Sequence, residues 1–302
     1  MGGPSRDSDP VASGAVAAIA TALRSTRTAA QRDFAGRFAW GIASVACFVA
    51  LWELVWAFGL ADQRVLPPPH LFLRDFTEQA KFFGSTAQAG EDVESAGRSV
   101  LIAVSGTTLR VLVGLALGFV VSVALGIAIR YFRLFGKLVM PTLRMLAPIS
   151  PLAWLPVAIF VFGVGNGPAV FMVFIAVFFM IVLATISQID NVPQNYLHVA
   201  RIMGATRSQI YWHVIIPAIL PGLFVILRLN LFGAWMVVLI AEAAGVGSGL
   251  GQIVMFARNT FNFTLVCFTM TLIGVLGFLF DIGLREIQRR ALYWLPRAPR
   301  RV

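Results

Sequence analysis

The sequence predicts an all-α integral membrane protein of six transmembrane helices, with both termini cytoplasmic. Hydrophobic residues make up 58% of the chain and charged residues 13%, about half the charge of an ordinary soluble domain. Lipid is therefore the solvent for most of its surface. Apolar runs of about 20 residues, the length that crosses a bilayer as a helix, recur along the chain. They override the two soluble domains that 302 residues would otherwise allow. The third observation is the placement of the basic residues, which sets the orientation.

The elements follow in order. Met1 to Arg37 is a polar, Ala-rich leader containing arginines. Its stretch Val11 to Ala22 is too weakly apolar to span and lacks the basic start of a secretory signal, so a cytoplasmic tail that is not cleaved is expected over 1–37. The first span covers Phe38 to Leu60, about 35 Å of helix against a hydrocarbon core of about 30 Å. A polar segment follows, with Pro67-Pro68-Pro69 holding it extended near its start and Glu91-Asp92-Val93-Glu94 near its end. The second span is Thr108 to Ile129, preceded by a short interfacial helix from Gly97. The third is Leu138 to Phe162, carrying Pro148, Pro151 and Pro156. The fourth, fifth and sixth are Ala169 to Ile189, Ile215 to Ala244 and Phe263 to Leu284. The permease domain predicted below would occupy 38–290, with a cytoplasmic tail at 291–302.

With the N-terminus inside, 16 of the 24 basic residues are cytoplasmic. They are the five of the leader, Arg130, Arg133, Lys137, Arg201, Arg207 and the six after Leu284. Arg64, Arg74, Lys81, Arg98 and Arg258 fall outside. A threefold bias fixes the orientation.

Composition also excludes functions. The net charge of +10 sits at span ends rather than on a basic stripe of a soluble module, so nucleic acid is not a partner; membrane lipid is. Cys47 and Cys267 lie inside apolar runs with no metal or disulfide spacing, and are small buried hydrophobes. His70, His198 and His213 are scattered on opposite sides of the membrane. No catalytic constellation or metal cluster emerges, and no Gly-x-x-x-x-Gly-Lys-Ser/Thr loop is present to hold ATP. The glycine-rich run Gly245 to Gly251 lacks a lysine and faces outside, which makes it a flexible outer turn.

The most informative stretch joins spans four and five: His198-Val199-Ala200-Arg201-Ile202-Met203-Gly204, leading to Val214-Ile215-Ile216-Pro217. It reads as two short helical pieces broken at Gly204, too polar to span and too apolar to float. Either an ordinary interfacial connection or a docking element satisfies that pattern. The spacing resembles the coupling-loop signature of ABC importer permeases, E-A-A-x-x-x-G followed nine residues later by I-x-L-P. Gly204 and Pro217 match, Val214 and Ile216 are conservative, and His198 and Val199 depart from the leading Glu and first Ala.

The resemblance runs from Val65 to Trp294 and is to the nitrate, sulfonate, taurine and bicarbonate branch. Leu66-Pro67-Pro68-Pro69 resembles its L-P-x-P element, and Thr108-Leu109-Arg110-Val111-Leu112-Val113-Gly114 the start of its second span. Leu227-Arg228, Gly233-Ala234-Trp235 and Ala241-Glu242 resemble its fifth span, and Gly247-Ser248-Gly249-Leu250-Gly251 its outer loop. Pro148-Ile149-Ser150-Pro151-Leu152-Ala153-Trp154-Leu155-Pro156 is similar to an element of nitrate and bicarbonate permeases.

The resemblance implies a type I ABC importer permease in a bacterial inner membrane, a transport subunit and not an enzyme. It implies a second permease copy, two ATPase subunits that hold ATP and Mg, and a periplasmic or lipid-anchored solute-binding protein; this chain would bind no cofactor. The coupling loop, about 190–214 and its exit, would use His198, Ala200, Arg201, Gly204, Ala205, Arg207 and Pro217. Ser150 and Trp154 are candidates for the translocation pathway if the proline-broken third span faces a watery cavity, and a packing helix with a kink is the other reading. Trp235 joins them. The cargo would be a nitrate- or bicarbonate-like oxyanion first, a sulfonate or taurine second.

Charged groups in the membrane cost about 2.5 to 3.5 kcal/mol on insertion scales and need a reason. Arg110 and Arg144 lie near span ends, where snorkelling accounts for them as well as function does. Arg228, midway along span five, either adds positive potential to an anion pathway or pairs with an acid on another span. Glu242, a further pathway candidate, is about 21 Å along the same helix, too far to be that acid. Glu53 and Asp281 lie near helix ends, with packing or interfacial roles. The alternative class, an ion-coupled secondary transporter or channel, would need intramembrane ion ligands or a proton relay, and the membrane acids sit near span ends.

Overall fold

The computed structural model describes residues 40–41, 43–59, 67–74, 76–83 and 93–294, and divides the chain into units Met1–Pro69 and His70–Val302. The tail 1–37, and 295–302 of the C-terminal tail, lie outside the described residues. So do Leu66 and Glu91-Asp92. The first unit contributes helix α1, Ala43–Ala57. At about 1.5 Å per residue it is shorter than the expected first span, whose ends Phe38 and Leu60 are not described.

Among the described residues of the second unit, every regular element is a helix. The short α2 (Pro69–Arg74) and α3 (Phe76–Lys81) precede α4 (Val93–Tyr131), and Pro69 heads α2 where its missing N–H is harmless. The second span is therefore one continuous helix from Val93, which takes in the short helix expected from Gly97 with no junction before Thr108. The third span is not straight. It is α5 (Arg133–Leu146), a 3-10 turn (Pro151–Trp154) and α6 (Leu155–Phe162), with the two arms bent by 98°. Ser150, forced extended by the proline after it, is the corner (ψ 137°). Then come α7 (Asn166–Asp190), α8 (Gln194–Ile202), α9 (Arg207–Ile210), a π turn (Tyr211–Ile215), α10 (Ile216–Gly245), α11 (Leu250–Asn259) and α12 (Phe263–Ala291). Among the described residues, four helices are long and apolar enough to cross a membrane, or five if the bent pair is counted as one span.

The centre of this unit is the parallel pair α4 and α7. Gly114, Gly118, Ser122 and Gly126 recur every fourth residue of α4, placing one small stripe on one face. A Cβ at Gly114 would lie 2.6 Å from Val173, one at Gly118 would overlap Val177, and one at Gly126 would lie 2.7 Å from Thr185. Ser122 donates to the Phe178 carbonyl at 3.1 Å. Lipid tails are as apolar as Leu, so membrane helices associate through such close backbone approach rather than through hydrophobic expulsion. Across the pair, α10 buries Leu223, Leu227, Leu231, Ala234, Val238 and Ala241, a stripe at helical spacing. Its opposite stripe, Val225, Leu229, Phe232, Met236 and Ile240, is exposed and apolar, as a lipid-facing surface must be.

Candidate functional site

Three side chains picked from the sequence, Arg228, Trp235 and Glu242, stand seven residues apart on α10 and so share one face of it. The structure gives each a different neighbour. At the outer end, Glu242 is 1% exposed and Arg110 of α4 is 7% exposed. Arg110 Nη1 donates to Glu242 Oε1 at 2.6 Å, and the Thr107 hydroxyl donates to Oε2 at 3.0 Å. The glycine-rich loop closes over them. Gly251 N–H donates to Oε2 at 3.0 Å, and Arg110 also reaches the Ser248 carbonyl, the Ser248 hydroxyl and Asn166. Leu250 N–H in turn donates to Thr107 Oγ1 at 3.0 Å. Both carboxylate oxygens and all three guanidinium nitrogens are engaged, which is the condition for a buried ion pair to be tolerated.

Arg110 therefore does not snorkel, and the loop is not a loose outer turn. Gly249 lies at φ +116°, and a Cβ there would overlap the Glu242 carboxylate. A Cβ at Gly251 would overlap the Leu239 carbonyl. Glycine is required for the backbone to come this close.

Further in, Arg228 Nε donates to Asp281 Oδ1 of α12 at 2.9 Å, and Arg285, one turn on, takes the other oxygen. Pairing with an acid on another span is thus the arrangement present. Two arginines share one carboxylate, leaving a local charge of about +1 by formal counting. The Arg228 side chain remains 29% exposed. Trp235 is buried edge-on against Phe280, centroids 5.3 Å apart. Trp154, at the bend, borders the same core, while Ser150 is exposed. The Nε1 donors of Trp154 and Trp235 are buried and find no acceptor among the described residues. Arg144 is exposed on α5.

The loop after α7 is an elbow built by two consecutive caps. Helix α8 ends in a Schellman motif: Gly204 at φ +76° donates to the Arg201 carbonyl at 3.0 Å, and Ala205 to that of Ala200 at 3.0 Å. Only the left-handed residue explains a glycine at this position. Thr206 then caps α9 through a capping box with Gln209. His198, Arg201 and Arg207 are exposed, Ala200 and Ala205 half-buried. Pro217 lies in the first turn of α10 after the π turn. Large apolar side chains stand out from the elbow, among them Ile202 at 85% and Met203 at 82% exposure.

Sequence reasoning missed Thr107, Asn166 and Ser248 as ligands of the outer pair. The one available signal was an arginine and a glutamate at similar outer depth on different spans.

Residues 114–293 match the family described as binding-protein-dependent transport system inner membrane component. The chain is 36% identical over 186 residues to a Methanocaldococcus jannaschii protein provisionally named an ABC transporter permease, covering 61% of this chain and 70% of that one. It is 31% identical to a nitrate import permease protein of Synechocystis over 60% of this chain and 66% of that one. It is 26% identical to the taurine transport system permease protein of Escherichia coli over 84% and 88%. Among solved structures it is similar in fold to a chain of an inward-facing MetNI methionine ABC transporter, with TM-score 0.55 and 21% identity, covering 63% of this chain and 94% of that one.

Proposed function

The chain belongs to the binding-protein-dependent transport inner membrane components, as a multi-pass ABC importer permease, and from that premise we propose that its cargo is a small anion. A nitrate- or bicarbonate-like oxyanion comes first, a sulfonate or taurine second. The observation that carries this reading is the Arg228–Asp281–Arg285 cluster. It sets a partly accessible guanidinium, that of Arg228, on a spanning helix, where a charge without purpose is expensive, and the exposed Arg285 at the cytoplasmic end of α12 adds a positive charge beyond the neutral Arg228–Asp281 pair. The relatives that import nitrate and taurine are in keeping with it.

In this reading two copies, each using residues 38–290, enclose one pathway. The elbow around Gly204 docks a separate ATPase subunit, which holds ATP and Mg, through its exposed Tyr196, Val199, Ile202 and Met203. The Schellman motif and the capping box make the elbow a stiff lever, so ATPase closure moves α8 and α9 as a unit. A solute-binding protein delivers cargo at the outer face.

The test is ATP-dependent uptake in proteoliposomes containing the chain with its ATPase and binding protein, comparing nitrate, bicarbonate, taurine and an alkanesulfonate. Uptake of one anion needing both partners, and reduced in a stably assembled Arg228→Gln variant, is expected. Uptake independent of both partners would instead identify a secondary transporter. Unchanged uptake in Arg228→Gln would remove the residue from the pathway.

A further inference from the structure

A second cationic site lies at the cytoplasmic end of the same unit, away from the Arg228 cluster. It is a cavity of about 720 Å³ where the inner end of α4 meets the elbow and the start of α10. Four arginines line it: Arg130 and Arg133 from the α4–α5 turn, Arg201 from α8 and Arg207 from α9. Asp190 pairs with Arg130. Arg133, Arg201 and Arg207 form no ion pair with a carboxylate among the described residues. Three uncompensated guanidiniums around one hollow repel one another unless an anion joins them.

We propose that this cavity holds the phosphate-bearing headgroup of an anionic phospholipid of the cytoplasmic leaflet. Three observations favour lipid over a soluble anion. First, the site lies at the polar end of spanning helices, on the side where basic pockets between helices meet anionic headgroups. Second, part of its wall is apolar, formed by Leu197, Ile210 and Ile215, which suits the glycerol and first methylenes of a lipid rather than a hydrated ion. Third, Leu134 and Leu138, one turn apart on the helix that carries Arg133, are 84% and 76% exposed, and offer an acyl chain an apolar surface beside that arginine. The back of the cavity is already set. Tyr211 donates to the Arg130 carbonyl at 3.1 Å and stands edge-on to Tyr131, centroids 5.0 Å apart. A planar guanidinium recognises phosphate in two-pronged fashion, which a lysine does not.

A bound headgroup would tie the α4–α5 turn to both arms of the elbow, so lipid composition would bear on how firmly the elbow is held. The experiment uses the full purified chain, assayed by native mass spectrometry and thermal unfolding with phosphatidylglycerol, phosphatidylcholine or inorganic phosphate added. Arg133→Gln is the informative variant, because Arg133 lies outside both the elbow and the proposed pathway; Arg133→Lys keeps the charge and controls for folding. Phosphatidylglycerol alone should be retained and raise the unfolding temperature. Its affinity should fall about tenfold in Arg133→Gln, as expected for one charge-assisted contact, and less in Arg133→Lys. Three results would overturn the proposal: equal retention of phosphatidylcholine, equal binding by Arg133→Gln, or protection by inorganic phosphate matching that of the lipid, which would mark a soluble-anion site. Absence of phosphatidylglycerol retention by the wild type would overturn it as well.

Discussion

Replacing Glu242 by Gln removes one charge and almost no volume, so its effect isolates the outer ion pair. The carboxylate has two acceptor oxygens in use: Oε1 takes Arg110, and Oε2 takes Thr107 and the Gly251 N–H. A glutamine offers one oxygen and an NH2. With its oxygen towards Arg110, the NH2 faces the Gly251 N–H, a backbone donor that cannot turn away. With its oxygen towards Gly251, the NH2 faces the guanidinium. Either way Arg110, its side chain 8% exposed, loses its counter-charge. Breaking a buried pair from one side costs about 3–5 kcal/mol. The assay is equilibrium unfolding in mixed micelles of Glu242→Gln, Arg110→Gln and the double variant. Each single change should lose about 3–5 kcal/mol, and the double should lose less than their sum by about 2 kcal/mol or more, since each residue is the other's main partner. Losses under about 1 kcal/mol for the singles, or strict additivity, would refute the claim that the pair is buried and mutually dependent.

Gly249→Ala forces a side chain into φ +116° and onto the Glu242 carboxylate, and should lose about 1–3 kcal/mol or more in the same unfolding assay; wild-type stability would mean that the loop does not clamp the pair. Gly118→Ala drives a methyl into Val177 at the α4–α7 contact, and overpacking there should lose about 1–3 kcal/mol. The same substitution at Gly274, inside α12 where a Cβ meets nothing within 4 Å, should not destabilise and should gain up to about 1 kcal/mol from helix propensity, and it serves as the control. Thr206→Ala removes one half of the capping box, worth about 1 kcal/mol. Amide exchange should quicken at Arg207 to Ile210 with the global unfolding midpoint unmoved; a global shift would show that the elbow is part of the main cooperative unit.

What the sequence discloses about this chain is depth rather than rotation. Hydropathy located α4, α7, α10 and α12 because each contains a run of apolar residues, and the basic residues oriented them. It placed the start of the second span too late because Gly97 to Thr108 is too polar to register as membrane, although the helix runs through it from Val93. The three prolines marked a disturbance in the third span, but its 98° bend depends on which carbonyls and side chains fill the corner. Arg110 and Glu242 were both recognised as lying near the outer ends of their helices. That they meet depends on how α4 and α10 are turned about their axes, across 132 residues of chain. By contrast the elbow was legible almost to the residue. The break at Gly204 was read from the pattern, and although the Thr206–Gln209 box was not, both act within a few positions, where a linear pattern encodes hydrogen bonding best.

Helix α10 connects these regions mechanically. From Ile216 to Gly245 it is one helix, and its anchors are spaced along its length: Arg228 on Asp281, Trp235 on Phe280, Glu242 on Arg110. The outer anchor is the most enclosed and the inner one is shared and partly solvated, so resistance to movement rises towards the outer face. Below Arg228 the helix contains Pro221, which lacks one ladder donor, and enters through a π turn whose extra residue loosens the ladder again. If the elbow is the ATPase dock proposed above, its displacement would be absorbed most readily between Tyr211 and Pro221, and the part above Arg228 would turn as a rod about its outer ion pair. A hinge low in the helix with its fulcrum high is the arrangement that converts a small push at the elbow into tilting of the segment between them. On that proposal the buried Arg110–Glu242 pair is the fixed outer point without which α10 would slide instead of pivot.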